Sequence, residues 1–230
     1  MMRKIPSILL AAALTACAAT PAPSASQAYR AHGTEPFWGV TIAGGRIVYE
    51  APDQPPIAVA APRRRAIANG YRYSTPEMRI DITHERCNDG MGDRYYADRF
   101  QVYFPGAARP LEGCGGAVLP PDALVDTFWS IGQIDGAAIA TADDYFLRFD
   151  EPGRLQGQAG CNRFSGPYAQ AGRTMTPGAI VSTRMACPEP RMAHERALLR
   201  LLGGPVRFSY PDGDTLLLSG RGVTVRLSRH

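Results

Sequence analysis

The stretch Val206-Arg-Phe208-Ser-Tyr210-Pro211-Asp-Gly213-Asp214-Thr215-Leu-Leu-Leu218-Ser219-Gly-Arg-Gly222-Val223-Thr-Val225-Arg-Leu227 decides the fold class. Val206, Phe208 and Tyr210, and again Val223, Val225 and Leu227, alternate with polar residues, the pattern of strands that bury one face. Pro211-Asp-Gly213-Asp214 and Ser219-Gly-Arg-Gly222 separate the runs with residues that tolerate the backbone angles of tight hairpins. Strands joined by such short turns pair antiparallel, so the chain ends in an antiparallel sheet.

Moving upstream, Thr127-Phe-Trp129-Ser-Ile131, Tyr145-Phe-Leu147-Arg-Phe149 and Arg154-Leu-Gln-Gly157 are also strand-like, with a turn at Asp150-Glu-Pro-Gly153. One helix is expected from Pro190 to Leu202, because Met192, Leu198, Leu199 and Leu202 recur at helical steps and Gly203-Gly204-Pro205 stops it. In the first half, Phe37-Trp38-Gly-Val40-Thr-Ile42 and Arg46-Ile-Val-Tyr49 flank Gly44-Gly45, a hairpin signal. Met78 to Thr83 and Arg99 to Phe104 alternate as strands. The proline-rich stretch between, which carries Arg63-Arg64-Arg65, has no clean period and is expected as loop or edge strand, the arginines in a solvated turn. The adjacent Pro120 and Pro121 mark a connector. The expected fold is mainly β (α+β): two small antiparallel β-rich domains, each a curved sheet or barrel-like, with a single helix in the C-terminal one. The boundaries are 30–116 and 126–230, with a linker over 117–125.

The full chain has 230 residues, 45% of them hydrophobic, enough to build two cores. A net charge of +4 is far short of the dense basic surface that nucleic-acid binding needs, so no nucleic acid partner is expected.

Arg3 and Lys4 precede an apolar run to Ala13, the order of an export signal. About 20 residues are needed to span a membrane as a helix, and this run is shorter. Leu14-Thr15-Ala16-Cys17 resembles the bacterial lipoprotein lipobox. That resemblance implies a leader over 1–16, acylation of Cys17, and attachment through the lipid to the outer membrane, facing the periplasm, with residues 17–29 as a tether. Each buried acyl CH₂ contributes about 0.8 kcal/mol, so several chains hold the protein firmly. Five cysteines are present, and lipidation of Cys17 leaves Cys87, Cys114, Cys161 and Cys187 for disulfides. Three pairings are open. Sequential pairing keeps each bridge within one expected domain. The four histidines lack ligand spacing and no CxxC exists, so no metal and no cofactor is expected.

From Phe128 to Leu227 the chain resembles the META (HslJ-like) domain. The phrases that carry this are Leu147-Arg-Phe149, Gly160-Cys161-Asn162-Arg163-Phe164-Ser165-Gly166-x-Tyr168, Thr183-Arg-Met-Ala-Cys187-Pro188 and Asp214-Thr215-Leu216-x-Leu218. The resemblance implies a small curved or barrel-like antiparallel sheet with one helix and, from the family's association with heat shock, an envelope-stress role without an accepted reaction. Gly33-Thr34-Glu35-Pro36-Phe37-Trp38, Cys87-x-Asp89-Gly90-Met91 and Gly113-Cys114-Gly115 resemble a second envelope family of uncharacterised function. The landmarks Phe-Trp, Cys-Asn and Cys recur in both halves, which raises a duplication as a hypothesis.

No GxSxG elbow, HExxH helix, P-loop or Rossmann fingerprint occurs. The expectation is therefore a non-catalytic binding or stress-protection lipoprotein with an envelope protein partner, its candidate binding residues Asn162 and Arg163 on a disulfide-fixed turn. Two rivals stand beside it: an inhibitor of a lysozyme-like hydrolase that attacks the envelope, and an envelope-polymer hydrolase using Glu35 and Asp89. His84, which shares a short segment with Cys87, reads as a solvated histidine.

Overall fold

The computed structural model describes residues 28–140 and 144–229; the leader, Cys17 and most of the tether lie outside the described residues. The first half contains β1 (Tyr29–Thr34), β2 (Phe37–Ala43), β3 (Arg46–Glu50), β4 (Ile57–Ala60), β5 (Arg65–Ile67), β6 (Gly70–Ser74), β7 (Arg79–Thr83), β8 (Tyr95–Tyr103) and β9 (Leu111–Leu119). These strands form one antiparallel sheet in the order β4-β3-β2-β1-β9-β8-β7-β6-β5, a meander whose first and last strands pair and which stays open between β4 and β5. It is a half-barrel. Period-two burial sends Trp38, Val40, Ile47, Tyr49, Ile80, Phe100 and Val102 into its concave core.

Two glycines in this half answer to one side chain. A Cβ on Gly33 would lie 2.2 Å from Trp38 Nε1, and one on Gly113 would lie 2.0 Å from the His32 carbonyl oxygen and 2.7 Å from Trp38 Cζ2. Trp38 pairs with Gly33 across the β1–β2 hairpin, so the indole lies where only bare backbone leaves room. The Gly33-to-Trp38 phrase is thus a packing unit.

The second half contains β10 (Thr127–Ile134), β11 (Ala137–Ala138), β12 (Tyr145–Asp150), β13 (Arg154–Ala159), β14 (Asn162–Ala171), β15 (Thr174–Pro177), β16 (Val181–Ser182), α1 (Arg191–Leu202), β17 (Val206–Asp212), β18 (Thr215–Gly220) and β19 (Val223–Arg229). The main path runs β10-β12-β13-β14-β15-β17-β18-β19 and returns to β10, which closes the barrel and removes its sheet edges. Trp129, Leu147, Phe149, Leu155, Met175, Leu216 and Leu227 fill it. The helix packs on β13, β18 and β19 and buries Ala197, Leu198, Leu201 and Leu202. Its open first turn is closed by Glu189, whose carboxylate accepts the Ala193 N–H at 2.9 Å.

Cys87 pairs with Cys114 and Cys161 with Cys187, with Cα atoms 5.5 and 6.7 Å apart. Separations of 27 and 26 residues give each bridge about 3.5 kcal/mol on the loop-entropy account.

The segment between Glu50 and Met78, expected as loop or edge strand, holds three short strands, β4 to β6, of which β4 and β5 are the free edges of the half-barrel, where prolines outside the ladder are tolerated. Two expectations are corrected. The connector over 117–125 is shorter and pinned: β9 continues to Leu119, Leu124 is buried in the barrel core, and its N–H donates to Gln170 Oε1 at 3.0 Å. The shared landmarks fall at non-equivalent places and the two sheets differ in strand order, which argues against a repeat: Trp38 is on the second strand of its sheet and Trp129 on the first. Cys114 sits in the closing strand of its sheet, whereas Cys187 precedes the helix.

Charged contacts link the two sheets. Arg229 Nη2 donates to Asp93 Oδ2 at 2.7 Å and Arg94 Nε to Asp214 Oδ1 at 3.1 Å. Among the described residues no helix is long and apolar enough to cross a membrane.

Candidate functional site

At one end of the half-barrel the concave face opens into a cavity of about 870 Å³. Its floor is made by residues that alternate inward from adjacent strands: Tyr29 opposite Ile42 on β1–β2, and Tyr71 opposite Ile82 on β6–β7. The Gly44-Gly45 turn and Ala61 close over it, held by the Ala61 N–H donating to the Gly45 carbonyl at 2.8 Å. Because β4 and β5 do not pair, the chain between them crosses the rim and brings Arg64 to the mouth, its guanidinium 4.1 Å above the Tyr71 ring.

Asp98 is the polar centre. It is 6% exposed, and its two oxygens accept the Tyr29 O–H at 2.8 Å and the His84 Nδ1–H at 2.7 Å. A register shift in β8 between Tyr96 and Asp98 turns this carboxylate inward beside Phe100. Burial, then the hydrogen bond to Asp98 and its charge, push the Tyr29 phenol far above its ordinary value and keep it a donor. His84 stands edge-on to Tyr71 with ring centroids 5.3 Å apart, and its bond to Asp98 leaves Nε2 as its remaining hydrogen-bonding atom. No serine, threonine or cysteine side chain lines the cavity among the described residues. The arrangement offers an apolar, aromatic pocket with one oriented imidazole, three tyrosines and one cation at the rim, a combination suited to small-molecule binding.

Sequence reasoning passed over this site. His84 stands two residues beyond Ile82 and so shares its inward face, a period-two signal that was legible in the sequence. Asp98 was not, since the bulge that aims it leaves no trace in the pattern.

The residues singled out from the sequence lie elsewhere. Asn162 and Arg163 are neighbours on β14 and therefore face opposite sides. Asn162 is 1% exposed and spent internally: its amide donates to Glu195 Oε2 at 2.6 Å and the Met185 carbonyl at 3.0 Å. Its oxygen accepts the Thr183 hydroxyl at 2.7 Å and the Met185 N–H at 2.8 Å. It locks the Cys161–Cys187 region to the helix and offers nothing to a partner. Arg163 is exposed beside Val181 and Phe164 in a groove of about 550 Å³, and its Nε donates to Gln158 at 3.2 Å.

Glu35 and Asp89 do not make an acid–base pair. Glu35 is exposed on the β1–β2 turn, whereas Asp89 is bonded to His32 Nε2 at 2.8 Å and to the Met91 N–H at 3.1 Å. Burial works to raise the Asp89 pKa, but the His32 and Met91 hydrogen bonds outweigh it and hold the carboxyl below its ordinary range. Asn88 organises the same loop by donating to the carbonyls of Gly92 and Arg94 at 2.9 and 2.8 Å. No cluster of metal-ligating side chains occurs among the described residues.

No curated protein matches the chain. Among solved structures, an NMR structure of a protein from Burkholderia xenovorans is 26% identical, over 46% of this chain and 83% of that one, with a TM-score of 0.38. A second NMR structure is 19% identical, over 45% and 88% of the two chains, with a TM-score of 0.41. Residues 122–230, which form the closed barrel and its helix, match the META domain family, so the C-terminal half of this chain carries a META domain.

Proposed function

We propose that the protein is a bacterial envelope lipoprotein with a non-catalytic binding role in stress protection, and that the half-barrel takes a small amphiphilic ligand. The observation that carries this is the 870 Å³ cavity in which Tyr29, Tyr71 and Tyr73 surround the Asp98–His84 pair. Its volume falls in the usual range of ligand sites, about 300–1,000 Å³, and its walls are aromatic and aliphatic with a few converging polar atoms. A ring or acyl body would lie against Tyr29, Ile42 and Tyr73, with an acidic or hydroxyl group toward Arg64 and His84. Anchoring through Cys17 would place the site at the outer membrane, where amphiphiles are abundant.

The test uses anilinonaphthalene sulfonate, an apolar ring system bearing an anion, with fluorescence titration. Saturable binding that weakens about tenfold in Arg64→Gln and Tyr71→Ala supports the reading. Equal affinity in all three chains refutes it. Membrane fractionation of the native host tests the anchor, since Cys17→Ala should release the protein from the membrane fraction.

One further observation favours the inhibitor reading. Phe37 is 58% exposed and Met91 67% exposed, on the turn and loop that the Thr34 hydroxyl joins by donating to the Asp89 carbonyl at 3.2 Å. A protruding apolar tip of this kind can enter a hydrolase cleft. Inhibition of lysozyme by the wild-type chain, lost in Phe37→Ser/Met91→Ser, would favour this second reading over the first.

A further inference from the structure

The outer wall of the META barrel carries a second concavity, unrelated to the half-barrel cavity. It is a groove of about 760 Å³ over β17, β18, β19 and the start of β15. Strand alternation puts the apolar Val206, Phe208, Leu218 and Val225 inside the barrel and leaves Arg207, Ser219, Thr224 and Arg226 outside. Register aligns them into rows, with Thr174 beside Arg207, Arg207 beside Ser219, Ser219 beside Thr224, and Arg226 between Leu217 and Gln133. Strands lie about 4.8 Å apart and Arg226 is two residues along β19 from Thr224, the residue level with Arg207, so the Cα atoms of Arg207 and Arg226 stand about 12 Å apart across the sheet, within joint reach of two long side chains. Arg173, from the turn before β15, adds a third cation. Its guanidinium sits 5.6 and 4.9 Å from the Phe208 and Tyr210 ring centres.

The charge is one-sided. Arg148, Arg191, Arg196 and Arg229 of the same half are paired with carboxylates; Arg173, Arg207 and Arg226 have no carboxylate partner among the described residues, which is also true of Arg154, Arg163, Arg184, Arg200 and Arg221, but these three line the same groove. Arg226 makes only a 3.4 Å contact to the Thr215 hydroxyl. Asp135, on the β10–β11 turn, is engaged by the Thr224 N–H at 2.8 Å. Arg173, Arg207 and Arg226 line one groove, and planar guanidinium forks match phosphate and carboxylate oxygens. Ser219, Thr224 and Gln133 supply further hydrogen-bonding groups between them.

The geometry points to an anion-binding site on this outer wall, with Arg173, Arg207 and Arg226 holding a ligand that carries two or more phosphate groups. Two sources share that chemistry: a soluble polyphosphate ester and the headgroups of anionic lipid. The full chain with Cys17→Ala, which removes the acylation site, is titrated calorimetrically with sodium pyrophosphate and sedimented with vesicles of phosphatidylglycerol or of phosphatidylcholine. The same measurements are made with Arg207→Gln/Arg226→Gln added, and separately with Ser219→Glu, which places a carboxylate in the groove while keeping every arginine. All three positions are exposed, so unchanged near-UV circular dichroism verifies the fold. Pyrophosphate binding weakened about tenfold in both variants supports the site and assigns a soluble ligand. Sedimentation with phosphatidylglycerol alone, lost in both variants, supports it and assigns a lipid headgroup. Absence of both in the parent chain, or binding that neither variant changes, overturns it.

Discussion

Replacing Tyr29 by Phe and Asp98 by Asn, singly and together, probes whether the half-barrel's polar centre behaves as one unit. Tyr29→Phe keeps the ring, which stacks on Phe100 with centroids 6.1 Å apart, and removes only the donor at 2.8 Å from Asp98. A hydrogen bond to a charged acceptor contributes about 1.5–3 kcal/mol, and this one is shielded by a carboxylate only 6% exposed. Asp98→Asn keeps the shape but offers one acceptor oxygen to two donors, Tyr29 and His84, at a cost of about 2–4 kcal/mol. In the double variant the remaining oxygen serves His84 alone, so the losses overlap by about 1–2 kcal/mol. Urea unfolding followed by Trp38 fluorescence, in a Trp129→Phe background common to all four chains, reads the half-barrel selectively, because each sheet holds one tryptophan in its core. In a unit of this size each kcal/mol lowers Tm by about 4–8 °C. Losses that add to within about 0.3 kcal/mol would show that Tyr29 and Asp98 are independent and refute the reasoning.

Three further outcomes follow from other contacts. Gly113→Ala should destabilise the half-barrel by about 3 kcal/mol or more, as its Cβ would lie 2.0 Å from the His32 carbonyl, whereas Gly39→Ala, with nothing within 4 Å, should shift the urea midpoint little. Asn162→Ala leaves the Glu195 carboxylate, 7% exposed, without its amide donor and should cost the barrel about 3–5 kcal/mol by thermal unfolding, while exposed Arg163→Ala stays within about 0.5 kcal/mol. The Tyr29 phenol is raised in the fold, first by burial and then by Asp98, so its contribution is fully present below pH about 10 and declines above it. Tyr29→Phe should therefore remove about 1.4 kcal/mol per pH unit from the slope of stability in the alkaline limb, and an unchanged slope would contradict the burial of that hydroxyl.

The antiparallel strands with their hairpin turns and the helix ending at Leu202 were legible in the chain, and of the three open cysteine pairings the sequential one is found. Each rests on local information: alternation along a strand, helical spacing of leucines, hairpin residues, and the parsimony of short disulfide loops. The same alternation, applied to Asn162 and Arg163, would have placed them on opposite faces and withdrawn Asn162 from any surface role.

Closure was beyond local reach. Pairing of β10 with β19 makes one sheet a barrel, while the missing β4–β5 pair leaves the other a half-barrel with a cavity. That difference depends on contacts between strands some ninety residues apart in one case and on an unmade pair of chain neighbours in the other. The union of Tyr29, His84 and Asp98, and of Arg173, Arg207 and Arg226, likewise arises from register and from a bulge that re-aims one carboxylate. A sequence shows which face each residue takes along its own strand. Only the folded sheet decides which residues from distant strands share that face, because register is set by the packing of the whole core rather than by any segment of it.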